Sequence, residues 1–174
     1  MADRADRADN ADAREPEHDD RRLSRALRAI IIRAVSEAQR RGASLVEAEH
    51  LLLSLSLETG SPAATALSAS GLDHAGIERV LRAEREASLE AAGVVPIAQE
   101  RLTAAPRVTR PRWGASAREV LIRAHRGAAL TRRTRTAETD LLSAILGLEL
   151  GTVPRALDLA GADRHAILVA AAAR

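Results

Sequence analysis

Two short stretches hold the residues best placed to do chemistry. Ala48-Glu49-His50-Leu51-Leu52-Leu53-Ser54 returns, altered, as Ala137-Glu138-Thr139-Asp140-Leu141-Leu142-Ser143, with Glu138 following Glu49 by 89 residues. Each stretch sets one carboxylate ahead of an apolar run. Such an acid is either a first-turn residue favoured by the helix macrodipole or a ligand-binding group, and the spacing alone leaves both readings open. Enzymatic chemistry finds no support, and no enzyme is expected. The five histidines are scattered, and neither a His-Glu-x-x-His spacing nor a nucleophile–base pair can be named. His50 reads as structural. Cys is absent, which removes disulfides, thiolate metal sites and cysteine nucleophiles. Lys is absent too, so a P-loop and lysine Schiff-base chemistry are excluded. No metal or cofactor is expected.

A second feature is basic. Ten arginines stand between Arg101 and Arg135 against one acid, Glu119. They read as a solvated surface or as a docking face for an acidic or phosphate-rich partner, with Arg132, Arg133 and Arg135 as the densest group. Nucleic acid is the weaker partner, because no aromatic residues interleave the arginines. Trp113 is the one aromatic in the chain and reads as a core anchor.

These residues need elements to position them. At 174 residues the chain fits one ordinary domain with a real core. Its apolar residues are almost all Ala, Leu, Ile and Val, which suits closely packed helices. The Arg-for-Lys composition points to a GC-rich bacterial genome. No signal peptide or membrane-length apolar run is present, so a cytoplasmic protein without membrane partners is expected. Residues 1–20 repeat Ala-Asp-Arg without apolar periodicity and predict a disordered tail. Leu27, Ile30, Ile31, Ala34, Val35 and Ala38 form a helical stripe between a Ser24 cap and Gly42. Ser44 and Glu47 predict a capping box for the next helix, which ends near Gly60. Ser61-Pro62 opens a short third helix, and Asp73 caps a fourth. Residues 87–112 read as a linker, with one helical turn near 97–102.

The pattern then repeats. Trp113-Gly114 opens a stripe of Ala117, Val120, Leu121 and Ala124; 138–148 is the next helix; 154–160 the third; Asp163 caps the last. Ala156-Leu157 follows Ala66-Leu67 by 90 residues, as Gly161 follows Gly71, so the copies are expected to differ by one indel. The expected fold is all-α, a bundle of about eight helices in two pseudo-two-fold four-helix repeats, 21–86 and 113–174.

The order Ser24 helix, Glu49-His50-Leu51-Leu52-Leu53, Gly60-Ser61, Ala66-Leu67, Gly71-Leu72-Asp73 resembles the N-terminal repeat of Clp/Hsp100 unfoldases, the ClpC type in particular. The resemblance is stronger in the first repeat. It implies a stand-alone N-domain without AAA+ modules, receiving degradation-destined proteins as an adaptor or decoy for Clp unfoldase and protease components. In that family the domain recognises phosphoarginine, and peptide natural products bind such domains. The family's acid holds the guanidinium, and a hydroxyl at the start of the first helix of the same repeat lies at the phosphate. Carried over, Glu49 pairs with Ser24 in site one, and Glu138 with Gly114 in site two. Gly114 keeps the backbone N–H but lacks the hydroxyl. Glu47 would repel a phosphate if it lay close, whereas Arg132, Arg133 and Arg135 would favour one near site two. The chemistry is sound in itself: a carboxylate takes guanidinium N–H groups, and a helix start takes phosphate.

Overall fold

Caps and apolar stripes decide where the helices fall. The computed structural model describes residues 22–94 and 108–173. The expected N-terminal tail, the turn at 97–102, Arg101 and Arg107 lie outside them. Among the described residues the helices are α1 (Arg25–Arg40), α2 (Ala48–Ser56), α3 (Pro62–Ala69), α4 (His74–Ala91), α5 (Ala115–Leu130), α6 (Glu138–Leu146), α7 (Thr152–Leu159) and α8 (Arg164–Ala172). Two two-residue strands, β1 (Leu45–Val46) and β2 (Arg112–Trp113), pair in parallel. The all-α expectation holds.

Four helix starts are fixed as their sequences predict. Ser24, Ser61, Asp73 and Asp163 each accept a main-chain N–H from three residues on. The start of α2 differs. Its N-cap is Glu47, not Ser44, and His50 Nδ1 accepts the Glu47 N–H at 3.0 Å. Helix α4 runs on to Ala91, past the expected boundary at 86, as an exposed extension carrying Arg85, Glu86 and Glu90.

The two repeats share one register. Helices α5, α6, α7 and α8 each begin 90 residues after α1, α2, α3 and α4. The first three pairs are also equal in length, at 16, 9 and 8 residues. Buried positions follow: Leu27, Ile30, Ala34 and Ala38 on α1 match Ala117, Val120, Ala124 and Ala128 on α5. Even the left-handed residue after the first helix recurs, Gly42 at φ 66 and Arg132 at φ 55. No indel separates the copies. The match at a spacing of 89 is one residue out of register, so the counterpart of Glu49 is Thr139 and the counterpart of Glu138 is Ala48. One residue turns a helix by roughly 100°, so the two acids do not occupy equivalent places.

Packing then interlocks the repeats. Helix α1 packs on α2 and α5 on α6, but α3 packs on α8 and α4 on α7. Leu51, Leu52, Leu53 and Leu55 of α2 and Leu141, Leu142 and Ile145 of α6 are buried in one shared core. Helices of nine residues are marginal alone in water. Burial of each such side chain contributes about 1.5–3 kcal/mol, which is what holds α2 and α6. Trp113 is partly buried against this core, in keeping with its expected anchoring role. At the far end of α1 the buried Glu37 carboxylate meets Arg40 at 2.5 Å, Arg41 at 3.6 Å and His74 at 3.2 Å, tying α1 to α4.

Candidate binding site at the crossed helix starts

The extended residues before each first helix pair with the other repeat. Gly114 N donates to Val46 O at 2.9 Å, which brings the start of α5 against the start of α2. Ser24 N donates to Thr136 O at 2.9 Å, which brings the start of α1 against the start of α6. There are thus two junctions, both between repeats. This corrects the pairing expected from sequence. Gly114 stands with Glu47 and Glu49, and Ser24 stands with Glu138. Ser24 lies at the opposite end of α1 from Arg41, whose charge reaches Glu49; 16 helical residues separate them by roughly 24 Å.

The first junction is closed by its own acid. Helix α5 begins at Gly114 without a side-chain cap of its own. Glu47 supplies the cap from the other repeat: its Oε2 accepts from Ser116 N at 3.0 Å and Ser116 Oγ at 2.5 Å. Ser116 Oγ in turn accepts from Ala48 N at 2.9 Å. The starts of α2 and α5 therefore cap one another, and the Glu47 carboxylate fills the place where a helix start would take an anion. Gly114 is needed for this, since a Cβ there would stand 1.9 Å from Glu47 Oε1. Ser116 was not singled out from the sequence. The signal was the correct register, which shows α5 starting without the hydroxyl that Ser24 gives α1.

The second junction is built differently. Ser24 caps α1 through its own hydroxyl, which accepts from Leu27 N at 3.0 Å. The counterpart of Glu47 is Ala137, so no carboxylate reaches the start of α1 from that position. The N–H groups of Arg25 and Ala26 have no main-chain partner among the described residues. Glu138, the first residue of α6, is half-buried and follows by two residues Thr136, whose carbonyl accepts the Ser24 N–H. Asp140 accepts the Ala137 N–H at 2.9 Å, the role that His50 plays at the first junction.

A family model described as the Clp repeat (R) N-terminal domain matches residues 13–111, more than half of the chain. The chain belongs to the Clp repeat N-terminal domain family. Three solved structures share the fold. The N-terminal domain of the chaperone ClpD from Arabidopsis thaliana is 22% identical, with 88% of this chain and 94% of that one covered at a TM-score of 0.59. The Hsp104 N-terminal domain from Candida albicans is 17% identical, with 86% and 88% covered at 0.60. A chain from a malarial protein secretion system is 16% identical, with 87% and 93% covered at 0.57. Among curated proteins none matches. Clp repeat N-terminal domains are binding modules for substrates and adaptors, and no described helix here is long and apolar enough to cross a membrane.

Within this Clp repeat domain three arginines stand near the second junction. Arg132, Arg133 and Arg135 are exposed on the loop between α5 and α6. Arg133 Nη1 reaches Thr139 Oγ1 at 3.1 Å and Asp140 Oδ1 at 3.4 Å, over the first turn of α6. The first junction is acidic instead. Burial pushes the Glu49 carboxyl above its usual value of 4.5, and the charges of Glu47 and Glu84 act the same way, against the opposing effects of its own main-chain N–H and of Arg41. Burial pushes His50 below its usual 6.5, with Arg41 acting in the same direction, while Glu37 and Glu47 oppose it.

Opposite pH effects follow. A histidine with a lowered pKa binds fewer protons folded than unfolded, so its contribution is complete above pH 6.5 and is lost as pH falls. A carboxyl with a raised pKa binds more protons folded, so Glu49 weakens the fold at neutral pH and ceases to do so below its usual 4.5. Urea unfolding should therefore show a smaller stability loss between pH 7.5 and 5.5 in His50→Asn than in the wild type. Glu49→Gln should be more stable than the wild type at pH 7.5, with the gain shrinking on acidification. A gain that is constant with pH would contradict this assignment.

Proposed function

We propose that the chain is a non-enzymatic binding module that receives degradation-destined proteins as an adaptor or decoy for Clp proteolysis, and that its phosphoarginine-type site is the second junction. The observation that carries this reading is the contrast between the two helix starts. At α5 the anion place is filled by Glu47. At α1 it has a hydroxyl and two main-chain N–H groups, with Glu138 alongside. The phosphate sits at Ser24, Arg25 and Ala26, whose donors point out of the helix start. Ser24 accepts through its oxygen from Leu27 and retains its hydroxyl hydrogen for the phosphate. Glu138 takes the guanidinium in a charge-assisted pair. Arg133 and Arg135 add positive charge beside the phosphate. Peptide natural products of guanidinium or phosphate character compete for the same place.

Calorimetry with free phosphoarginine tests the reading. Binding is expected in the wild type and weakened about tenfold or more in Glu138→Gln, the loss of one charge-assisted interaction. Ala137→Glu, which installs the carboxylate of the first junction, is expected to abolish it. Absence of binding at millimolar ligand, or equal affinity in both variants, would overturn the site. A second reading, docking of an acidic protein, is favoured by the exposed arginines along α5 and its following loop, Arg118, Arg126, Arg132, Arg133 and Arg135. It predicts salt-sensitive retention that is lost when the last three are replaced.

A further inference from the structure

We propose that the second junction carries its own competitor: the acidic segment Glu15-Pro16-Glu17-His18-Asp19-Asp20 docks on the arginines around the start of α1, and an anionic ligand must displace it. The segment lies outside the described residues, and its docking surface follows from where the chain joins the fold. Arg22 O accepts the Thr136 N–H at 2.8 Å, Leu23 bridges to Thr136, and Ser24 N donates to Thr136 O at 2.9 Å. The chain therefore enters the fold against Thr136, the neighbour of Arg135. Asp20 and Asp19 stand two and three residues before Arg22, so the backbone holds them within roughly 7 and 11 Å of it.

Charge selects this occupant. Residues 1–21 carry eight acids against four arginines, whereas the rest of the chain carries 16 acids against 22 arginines, so the two parts attract. The excess is local: residues 15–20 hold four acids and no arginine, which singles out that segment. The surface within its reach has the opposite sign. Arg25 at the start of α1, and Arg132 and Arg135 on the loop before α6, are exposed and have no acidic partner among the described residues. Arg133 meets Asp140 at 3.4 Å with its side chain still 50% exposed. The N–H groups of Arg25 and Ala26 have no main-chain partner among the described residues, and the start of a helix favours carboxylates. Exposed ion pairs are weak singly. A segment joined this closely to its surface acts at an effective concentration on the order of millimolar, so the pairs need not be strong to form together.

The consequence is regulation. A ligand for the start of α1 exchanges with the segment, and its apparent affinity falls by the fraction of chains left uncovered. The docking needs only the residues named above. Its effect on phosphoarginine rests on the ligand proposed for the second junction.

The chain has no Cys, so a nitroxide on Ala13→Cys labels one position beside the segment. In the full chain at low salt it is expected to broaden the amide signals of Arg25, Ala26 and residues 132–136. Most of that broadening should be lost in the variant Glu15→Gln, Glu17→Gln, Asp19→Asn, Asp20→Asn and in the variant Arg132→Gln, Arg133→Gln, Arg135→Gln. It should also be lost at about 1 M salt, where the screening length is roughly 3 Å. Equal broadening under all these conditions, as covalent attachment alone would give, overturns the docking. So does stronger broadening at Arg118 and Arg126, or broadening passed to unlabelled copies in a mixture, which would make a second chain the partner. Calorimetry with phosphoarginine reads the competition: the variant with the four acids neutralised is expected to bind several-fold more tightly than the wild type. Equal affinity in the two overturns the competition. If neither binds, the ligand assigned to the junction is wrong, and the broadening alone decides the docking.

Discussion

The double variant Glu47→Ala, Gly114→Ser is expected to open the first junction to phosphate. It gives α5 the start that α1 has, a serine cap facing a small N-cap residue. The single variant Gly114→Ser should be less stable than both the wild type and the double variant. Its Cβ would meet Glu47 Oε1 at 1.9 Å and Cδ at 2.1 Å, so the carboxylate must leave. Departure forfeits both bonds to Ser116, and loss of a helix cap costs about 1–2 kcal/mol. Removing Glu47 at the same time clears the space and lets the serine cap α5 directly. Urea unfolding should show the double variant more stable than Gly114→Ser by about 1 kcal/mol. Calorimetry in a Glu138→Gln background should show phosphoarginine affinity rising about tenfold over the same background with Glu47 intact, the order of one charge-assisted interaction. If the two substitutions are additive in stability, the steric and capping link between Glu47 and Gly114 is wrong.

That link was out of reach of local reading, and the reason is physical. Helix starts at Ser24, Ser61, Asp73 and Asp163 are decided by contacts three residues apart, and these were legible. The expectation at Ser44 failed because Glu47 could serve either as the acid of a capping box or as the cap itself. What decided between them was Ser116, 69 residues away. The repeat register failed for a related reason. Leu51-Leu52-Leu53 against Leu141-Leu142 tolerates a slip of one residue, since an apolar run buries on either alignment. The pairs Ala66-Leu67 and Ala156-Leu157, and Gly71 and Gly161, carried the true spacing of 90. Turns and caps fix register more sharply than leucines do, because only one position can hold a left-handed or capping residue.

The slip matters for the site. A twin acid in equivalent places would mean two copies of one binding function. Thr139 and Ala48 stand instead in the counterpart positions. The pairing of repeats was not legible at all. It rests on two-residue strands and one bridge, Leu23 with Thr136, which leave no periodic signal. Once that exchange is made, Ser24 falls on the same junction as Glu138, and the residues named from sequence regroup into one anion-accepting junction and one acidic one.

Among the described residues the interlock between repeats also has one charged clasp, between α4 and α7. Glu84 of α4 is buried, its side chain 6% exposed, and its Oε1 accepts from Arg155 Nε of α7 at 2.7 Å and from Ser88 Oγ at 2.7 Å. Arg155→Ala leaves that carboxylate in the α4–α7 contact with one neutral donor. Stranding a buried charge costs about 3–5 kcal/mol. Arg155 is 60% exposed, so water reaches the vacated place and about 2–3 kcal/mol is the expected loss. Arg155→Lys should recover only part of it, because an ammonium cannot reproduce the planar guanidinium contact. Glu84→Gln, Arg155→Ala should recover more than Arg155→Ala alone, since no charge is then stranded. Hydrogen exchange should speed up in α7 before α6, as α7 meets α4 through this contact while α6 is held in the leucine core. The first turn of α7 borders the same cavity as Glu47 and Glu49, and the Glu84 charge already reaches Glu49. Loss of Arg155 removes a countercharge from that field while loosening the donors at Thr152 and Val153. The phosphoarginine affinity of the second junction, built on α1 and α6, is expected to be unchanged.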